Sequence, residues 1–240
     1  MSLWLRVRTP IDRVVGAIAA LVTWPLVGLL GWRVRRSDGG PGVVALPRVG
    51  RGGQTFAMHK LRTMRADEVA GSAKGSRITA GNDDRVTPIG HRLRERHLDE
   101  LPQLRDVACG RMTLLGPRPE TPEVVDLNDP RWDTVLQVPP GLAGPTQLVL
   151  DEWERTQLTG PDPQGDYRDR VLPLKLAVDV WYVQNASPWV DALVLISLVQ
   201  RVVLGRSTSA IERVVRRAVP ATAHLPTAPA FAPGVLEATA

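Results

Sequence analysis

Asp99 and Glu100 are adjacent carboxylates in the run Leu98-Asp99-Glu100-Leu101-Pro102-Gln103-Leu104. Neighbours on a helix point about 100° apart, so the two need not serve the same atom. One can attack an electrophile while the other holds a divalent cation. A helix N-terminus also favours bound phosphate and keeps a carboxylate ionised. Arg85, Arg94 and Arg96 precede the pair, and Arg118 follows in the rigid loop Gly116-Pro117-Arg118-Pro119-Glu120. Carboxylates, cations and a helix start together describe phosphoryl transfer. The same letters also fit a plain helix cap, with Asp99 capping a helix that tolerates Pro102 in its first turn.

The elements that must position these groups are read from the rest of the chain. Its 240 residues suit one medium domain with additions. A formal charge of +5 asks for an acidic partner: nucleic acid, anionic lipid or a phosphorylated substrate. The cations are nearly all Arg, the better bidentate phosphate ligand; only Lys60, Lys74 and Lys175 are lysines. Cys109 stands alone, so no internal disulfide is possible. His59, His91, His97 and His224 show no zinc-ligand spacing.

From Val14 to Trp32 the chain carries no charge and is mostly apolar. As a helix this run spans about 28 Å, near the hydrocarbon thickness of a bilayer. No clear small-residue cleavage site follows before Arg33, which argues against a signal peptide. Pro25 falls near the middle and predicts a kink. Arg6, Arg8 and Arg13 lie on one side and Arg33, Arg35 and Arg36 on the other, so the positive-inside rule puts both ends in the cytoplasm. A re-entrant helix satisfies both facts better than a spanning one, with the Thr23 hydroxyl available to a carbonyl freed at the kink. A nucleic-acid partner would leave this apolar run unexplained.

Downstream, residues 43–46 and 54–64 read as strands around a basic Gly-rich loop, Arg48 to Gly53, that suits either a phosphate or a simple hairpin turn. Residues 65–84 read as a polar, flexible stretch. Thr87-Pro88 starts a helix to about Arg96. Residues 172–184 and the segment from Ser187-Pro188 onward read as helices. The second carries Trp189, Leu193, Ile196 and Val199 and suits either an interface or a core. The Ala-, Pro- and Thr-rich end is expected to be disordered. The expected organisation is a membrane helix over 1–36, a catalytic domain over 37–205 and a largely disordered tail over 206–240. The fold class is mainly α with short β elements.

The sequence resembles the monotopic polyprenol-phosphate phosphoglycosyl transferases, the bacterial sugar transferase family. The resemblance rests on several pieces in order: Lys60 to Met64, Asp84 to Gly90, Leu98 to Leu104, Met112 to Glu120, and Pro140 to Gly144 with Gln147. Asp179, Tyr182, Asn185, Ser187 and Asp191 resemble its C-terminal helices. The match runs from about Arg13 to Gly205. The resemblance implies a re-entrant membrane helix and a compact cytoplasmic catalytic domain with interfacial helices, monotopic in the inner membrane. It implies Asp99 as the nucleophile on the sugar-bearing phosphate of a UDP-sugar. UMP would leave, and a covalent aspartyl-phosphosugar would pass its group to polyprenol (undecaprenyl) phosphate, initiating polysaccharide assembly. Glu100 would bind Mg²⁺. Arg85, Arg94 and Arg118 would hold phosphates; Lys60 and Arg62 would do the same or pack beneath the site.

The sequence departs from the family pattern at Trp24 (usually Ser), Leu46 (usually Gln), His97 (usually a small hydroxyl residue) and Arg111 (usually acidic). None touches Asp99 or Glu100. Two rivals stand beside the transferase: a glycosyltransferase, which would release UDP, and a membrane-surface scaffold or regulator with the same fold and weakened activity. The sequence leaves the sugar, the glycan pathway and a homodimer open.

Overall fold

The computed structural model describes residues 2–65, 84–159, 162–204 and 210–222. The stretch expected to be flexible, residues 65–84, falls almost wholly outside the described residues.

Helix α1 runs without interruption from Leu3 to Asp38, capped by Ser2 and closed by Gly39 in the left-handed conformation. Pro10 and Pro25 lie within it. The Thr23 hydroxyl donates to the carbonyls of Ala19 (2.8 Å) and Ala20 (3.4 Å). It therefore does not cover the Leu21 carbonyl that Pro25 leaves without a donor, contrary to the expectation from sequence.

One stripe of α1 faces the rest of the protein. Leu5, Arg8, Asp12, Gly16, Val27 and Val34 are buried, and Ala19, Thr23 and Leu30 between them are half-buried. Their spacing of three or four residues is the helical repeat. The opposite face leaves Val7, Ile11, Val14, Ile18, Leu21, Trp24, Leu29 and Trp32 exposed.

Both ends of α1 dock on the same body. Near the N-terminus, Arg8 pairs with Asp191 (2.5 Å), receives Asp12 one turn away (3.2 Å), and donates to the Tyr182 hydroxyl (2.7 Å) and the Leu115 carbonyl (2.6 Å). Trp4 also donates to Asp191, at 2.7 Å. Near the C-terminus, the buried Arg62 guanidinium pairs with Asp38 and donates to the carbonyls of Pro41 (2.7 Å) and Met64 (2.8 Å). Val34 and Val27 there pack with Leu61 and Leu93.

Strands β1 (Val43–Val49) and β2 (Thr55–Leu61) form an antiparallel hairpin, Val43 opposite Leu61. The Gly-rich loop closes it: Gly50 N donates to Gln54 (2.8 Å), Gly52 N to Leu136 (2.8 Å) and Gly53 N to Gly50 (3.1 Å). These amides are spent within the protein, so the loop is a turn. Helix α2 (Pro88–Glu95) starts as expected, Thr87 accepting from Gly90 N at 3.0 Å. Helix α3 (Gln103–Ala108) and strand β3 (Thr113–Leu115) follow, then α4 (Pro130–Val135) and β4 (Gly141–Ala143), which pairs parallel with β3. Gly116 and Gly141 approach so closely that a Cβ on Gly141 would lie 2.1 Å from Gly116 N.

The C-terminal part is helical: α5 (Pro145–Gln157), α6 (Pro163–Asp166), a π turn (Tyr167–Val171), α7 (Leu172–Asn185), α8 (Pro188–Leu204) and α9 (Ala210–Ala218). The main core joins Leu5 of α1 to Leu148, Leu150, Val178, Tyr182, Val194, Ile211 and Val215. Two expectations meet the structure here. Helix α8 serves both as core, through buried Val190 and Val194, and as an apolar surface, through exposed Trp189, Leu195, Ile196 and Val199. Within the tail expected to be largely disordered over 206–240, residues 210–218 form α9, whose Ile211 and Val215, one turn apart, are fully buried. Their spacing supplies an apolar stripe that the surrounding Ala-, Pro- and Thr-rich composition hides.

Thr146 of α5 donates to Asp179 of α7 inside this core. Burial pushes the Asp179 carboxyl up to about 7, against the Thr146 bond and the Lys175 charge. The unfolded chain releases this proton near pH 3.8. Between those values the folded state holds a proton that the unfolded state has lost, so this group's contribution to stability falls as pH rises. Urea denaturation at pH 5 and pH 8 checks this: Asp179→Asn is expected to flatten the loss of stability that the wild type shows between the two.

Candidate functional site

Lys60, Asp99, Glu100 and Arg118 come together from three separate segments. Lys60 is near the end of β2, its strand held by pairing with β1. Asp99 and Glu100 sit in a 3₁₀ turn, Leu98–Glu100, and Arg118 in the loop after β3. Asp99 does not cap the following helix: Pro102 precedes α3 there, without a side-chain cap. The turn is entered through His97, whose φ of 53° is the one positive value at a non-glycine among the described residues. A backbone conformation of this kind turns the chain sharply and swings the carboxylates inward, at a cost that functional sites often carry. His97 itself is exposed.

Asp99 is 2% exposed, and its Oδ2 lies 2.7 Å from Lys60 Nζ. Glu100 pairs with Arg118, whose Nη1 lies 3.3 Å from Oε2 and also donates to the Leu142 carbonyl at 3.1 Å. Burial works against the Arg118 charge, but Glu100 above all, and then Asp99 and Glu120, outweigh it and raise its pKa. The site is thus two carboxylates, each already answered by a cation, with the second cation reaching electrically towards both.

The other expected ligands are placed differently. Arg94 of α2 donates to the Thr63 hydroxyl at 2.9 Å, just past the end of β2. Arg85 is half-buried beside the Met64–Val86 bridge, and its carbonyl accepts from Arg65 N at 2.9 Å. Arg62 is spent on Asp38 and backbone carbonyls, as described above, and belongs to the support beneath the site.

Several supporting groups escaped the sequence reading. Asp106 of α3 is fully buried and accepts from His59 N and Nδ1, both at 2.8 Å. It thereby ties β2 to α3, on either side of the Lys60–Asp99 contact. Arg111, which departs from the family pattern, pairs with this same Asp106 at 3.2 Å. Leu46, another departure, packs against Met58, Val107 and Met112. Glu120, Tyr167 and Lys175 form a buried polar group behind the Arg118 loop. A lysine in the apolar helix Leu172–Asn185 was the available signal for that group.

Among the described residues no three His, Cys, Asp or Glu side chains converge. Mg²⁺ is ordinarily held by one or two carboxylates, with substrate phosphates and water completing its shell. The half-buried Glu100, beside Asp99, fits that pattern.

Residues 4–205 match the family described as bacterial sugar transferase. The chain belongs to that family. Its relatives include an uncharacterised sugar transferase of Haemophilus influenzae, 35% identical over 81% of this chain and 40% of the relative. The undecaprenyl-phosphate galactose phosphotransferase of Salmonella typhimurium is 32% identical over 77% of this chain and 38% of its own length. The exopolysaccharide production protein ExoY of Rhizobium meliloti is 32% identical, with 82% of this chain and 85% of the relative covered. The chain therefore spans about 40% of the length of the first two relatives and most of the third.

The Lys60–Asp99 pair can be tested for stability alone. Removing one partner of a buried ion pair costs about 3–5 kcal/mol, because the other charge is left uncompensated. Lys60→Met is expected to destabilise the protein towards that range, and Asp99→Asn in the same chain to recover most of the loss. Simple additivity of the two changes in urea denaturation would refute the pairing.

Proposed function

We propose that this sugar transferase moves a sugar 1-phosphate from a UDP-sugar to polyprenol phosphate, with Asp99 as the nucleophile. The observation that carries the reading is Asp99 itself: a carboxylate 2% exposed, 2.7 Å from a lysine, beside a second carboxylate paired to an arginine. An anion can attack an anionic diester only where positive charge is concentrated, and here the cations are already in place. The activities named for relatives point the same way. One is an undecaprenyl-phosphate galactose phosphotransferase, and another, from Xanthomonas campestris, is a UDP-glucose:undecaprenyl-phosphate glucose-1-phosphate transferase.

An Asp99 carboxylate oxygen attacks the sugar-bearing phosphorus. The bond from that phosphorus to the bridging oxygen breaks, and UMP leaves with the electron pair. The phosphosugar then rests on Asp99 as an acyl phosphate. A phosphate oxygen of the polyprenol phosphate attacks the same phosphorus, giving a diphosphate-linked sugar lipid and restoring the Asp99 carboxylate. Lys60 and Arg118 pass from the protein's own carboxylates to the donor's phosphates as these arrive, so the charge needed in the transition state is organised beforehand. Arg94 is held at the Thr63 hydroxyl and Arg85 lies at the Met64–Val86 bridge, so the reading does not rest on either. Glu100 would hold Mg²⁺, which would supply positive charge to neutralise that developing on the phosphates.

The membrane seat follows from the same body plan. The outward face of α1 and the exposed apolar side of α8 lie against the inner membrane. Both ends of α1 dock on one domain, which favours a helix that stays on one side of the bilayer over one that spans it. Arginines on both sides of the apolar run support a cytoplasmic domain.

The test is nucleotide release from nanodisc-held protein given Mg²⁺, polyprenol phosphate and a panel of UDP-sugars. Wild type is expected to release UMP, and Asp99→Asn to lower the rate by about 10³-fold or more, as loss of a covalent nucleophile does. Release of UDP in place of UMP would overturn the reading in favour of a glycosyltransferase. No release from folded protein with any donor would overturn it in favour of a scaffold.

A further inference from the structure

The Arg118 loop is held at its far end by a buried polar group that touches neither Asp99 nor Glu100. The Glu120 carboxylate accepts from the Tyr167 hydroxyl at 2.5 Å and pairs with Lys175 Nζ at 2.9 Å. Lys175 also donates to the Tyr167 hydroxyl at 2.8 Å and lies 5.0 Å from the centre of its ring and 3.7 Å from Glu154. On the main chain, the Glu120 carbonyl accepts from Val49 N and the Pro117 carbonyl from Gly141 N. Each end of the five-residue loop is therefore fixed to a different strand.

Two features make this group more than packing. The first is its cost. Tyr167 is 4% exposed and the Lys175 side chain 12%. Burial works strongly against the lysine charge, and Glu120 foremost restores it. Apolar residues of the same volume are commonly as stable as a buried pair of this kind, so stability alone gives no reason for it.

The second feature is the backbone. In an unbroken α-helix, residues eight apart are about 80° apart around the axis. The π turn Tyr167–Val171 lies between Tyr167 and Lys175. Its extra residue takes out roughly 100°, which brings the two side chains to within about 20° of one face. The irregularity is what allows both to reach one carboxylate.

We propose that Tyr167 and Lys175 are positioning residues: they fix Glu120 and, through the two-proline loop, hold the Arg118 guanidinium where the donor's diphosphate is taken up. The proposal rests on the transferase reading above. It assigns to the distant helical layer a part in donor recognition, with Arg118 as the group it acts through.

Tyr167→Phe, Lys175→Met and Lys175→Arg are compared in the full chain in nanodiscs, each alone and with Arg118→Lys. Tyr167→Phe keeps the ring and removes one hydroxyl, so it stays informative if Lys175→Met fails to fold. In the Arg118 background, Tyr167→Phe is expected to lower kcat/KM for the UDP-sugar by about tenfold, and Lys175→Arg to retain more activity than Lys175→Met. In the Arg118→Lys background the Tyr167→Phe effect is expected to shrink below about twofold, since residues acting through one another are non-additive. Hydrogen exchange of residues 116–120 is recorded on the same proteins, and both Tyr167→Phe and Lys175→Met are expected to speed it. Unchanged kcat/KM, or the full Tyr167→Phe effect surviving in Arg118→Lys, would overturn the proposal. If wild type itself releases no UMP, the transferase reading falls. Exchange then decides the positioning alone, and an unchanged rate overturns it.

Discussion

A helix with an apolar outer face can stay attached to a domain only if its inner face is held strongly enough to resist the membrane. Here that hold is ionic and buried. Arg8 is shared between Asp12, Asp191 and Tyr182 at one end, and Arg62 grips Asp38 at the other. Desolvated charges of this kind tolerate little displacement, because a broken pair leaves an unpaired ion in a dry place. The docked helix then fixes much else. Its N-terminal end completes the core made by α5, α7, α8 and α9, and its C-terminal end closes the core beneath β2 and α2. Lys60 on β2 and Asp99 just beyond α2 take their places from that second core.

The site shows the same economy of charge. Neither carboxylate faces water alone, and neither cation that meets them is idle. The arrangement suits a reaction whose two substrates both bring phosphate: an arriving anion finds cations already oriented and needs only to displace an internal partner. Preorganisation of this sort lowers the reorganisation required as charge develops.

How far the sequence disclosed this depends on how local each signal was. The Asp99-Glu100 pair, the Thr87-Pro88 helix start and the hairpin around Gly50 are written in neighbouring letters, and each was legible. Arg118 was legible because two prolines flank it. Groups joined only by tertiary packing were not. Nothing near Asp106 announces that it will meet His59, and nothing near Glu120 announces Tyr167 and Lys175. The capping role expected for Asp99 failed because His97 adopts a left-handed turn, a choice that composition does not signal. Helix α9 was hidden by its neighbours, although Ile211 and Val215 carry the spacing of a buried face. The resemblance left Arg62 either to hold phosphate or to pack beneath the site, and its burial against Asp38 gives it the second place.

The long separation between the two halves of the Arg8 clamp has a consequence for how the chain is made. Arg8 and Asp191 are 183 residues apart. At about 5–20 residues per second, roughly ten to forty seconds of synthesis separate them. During that interval the helix exists with Asp12 but without Asp191 and Tyr182, and a bilayer surface can shelter its outer face. The order of translation thus favours a chain that meets the membrane first and assembles its catalytic body against the waiting helix afterwards.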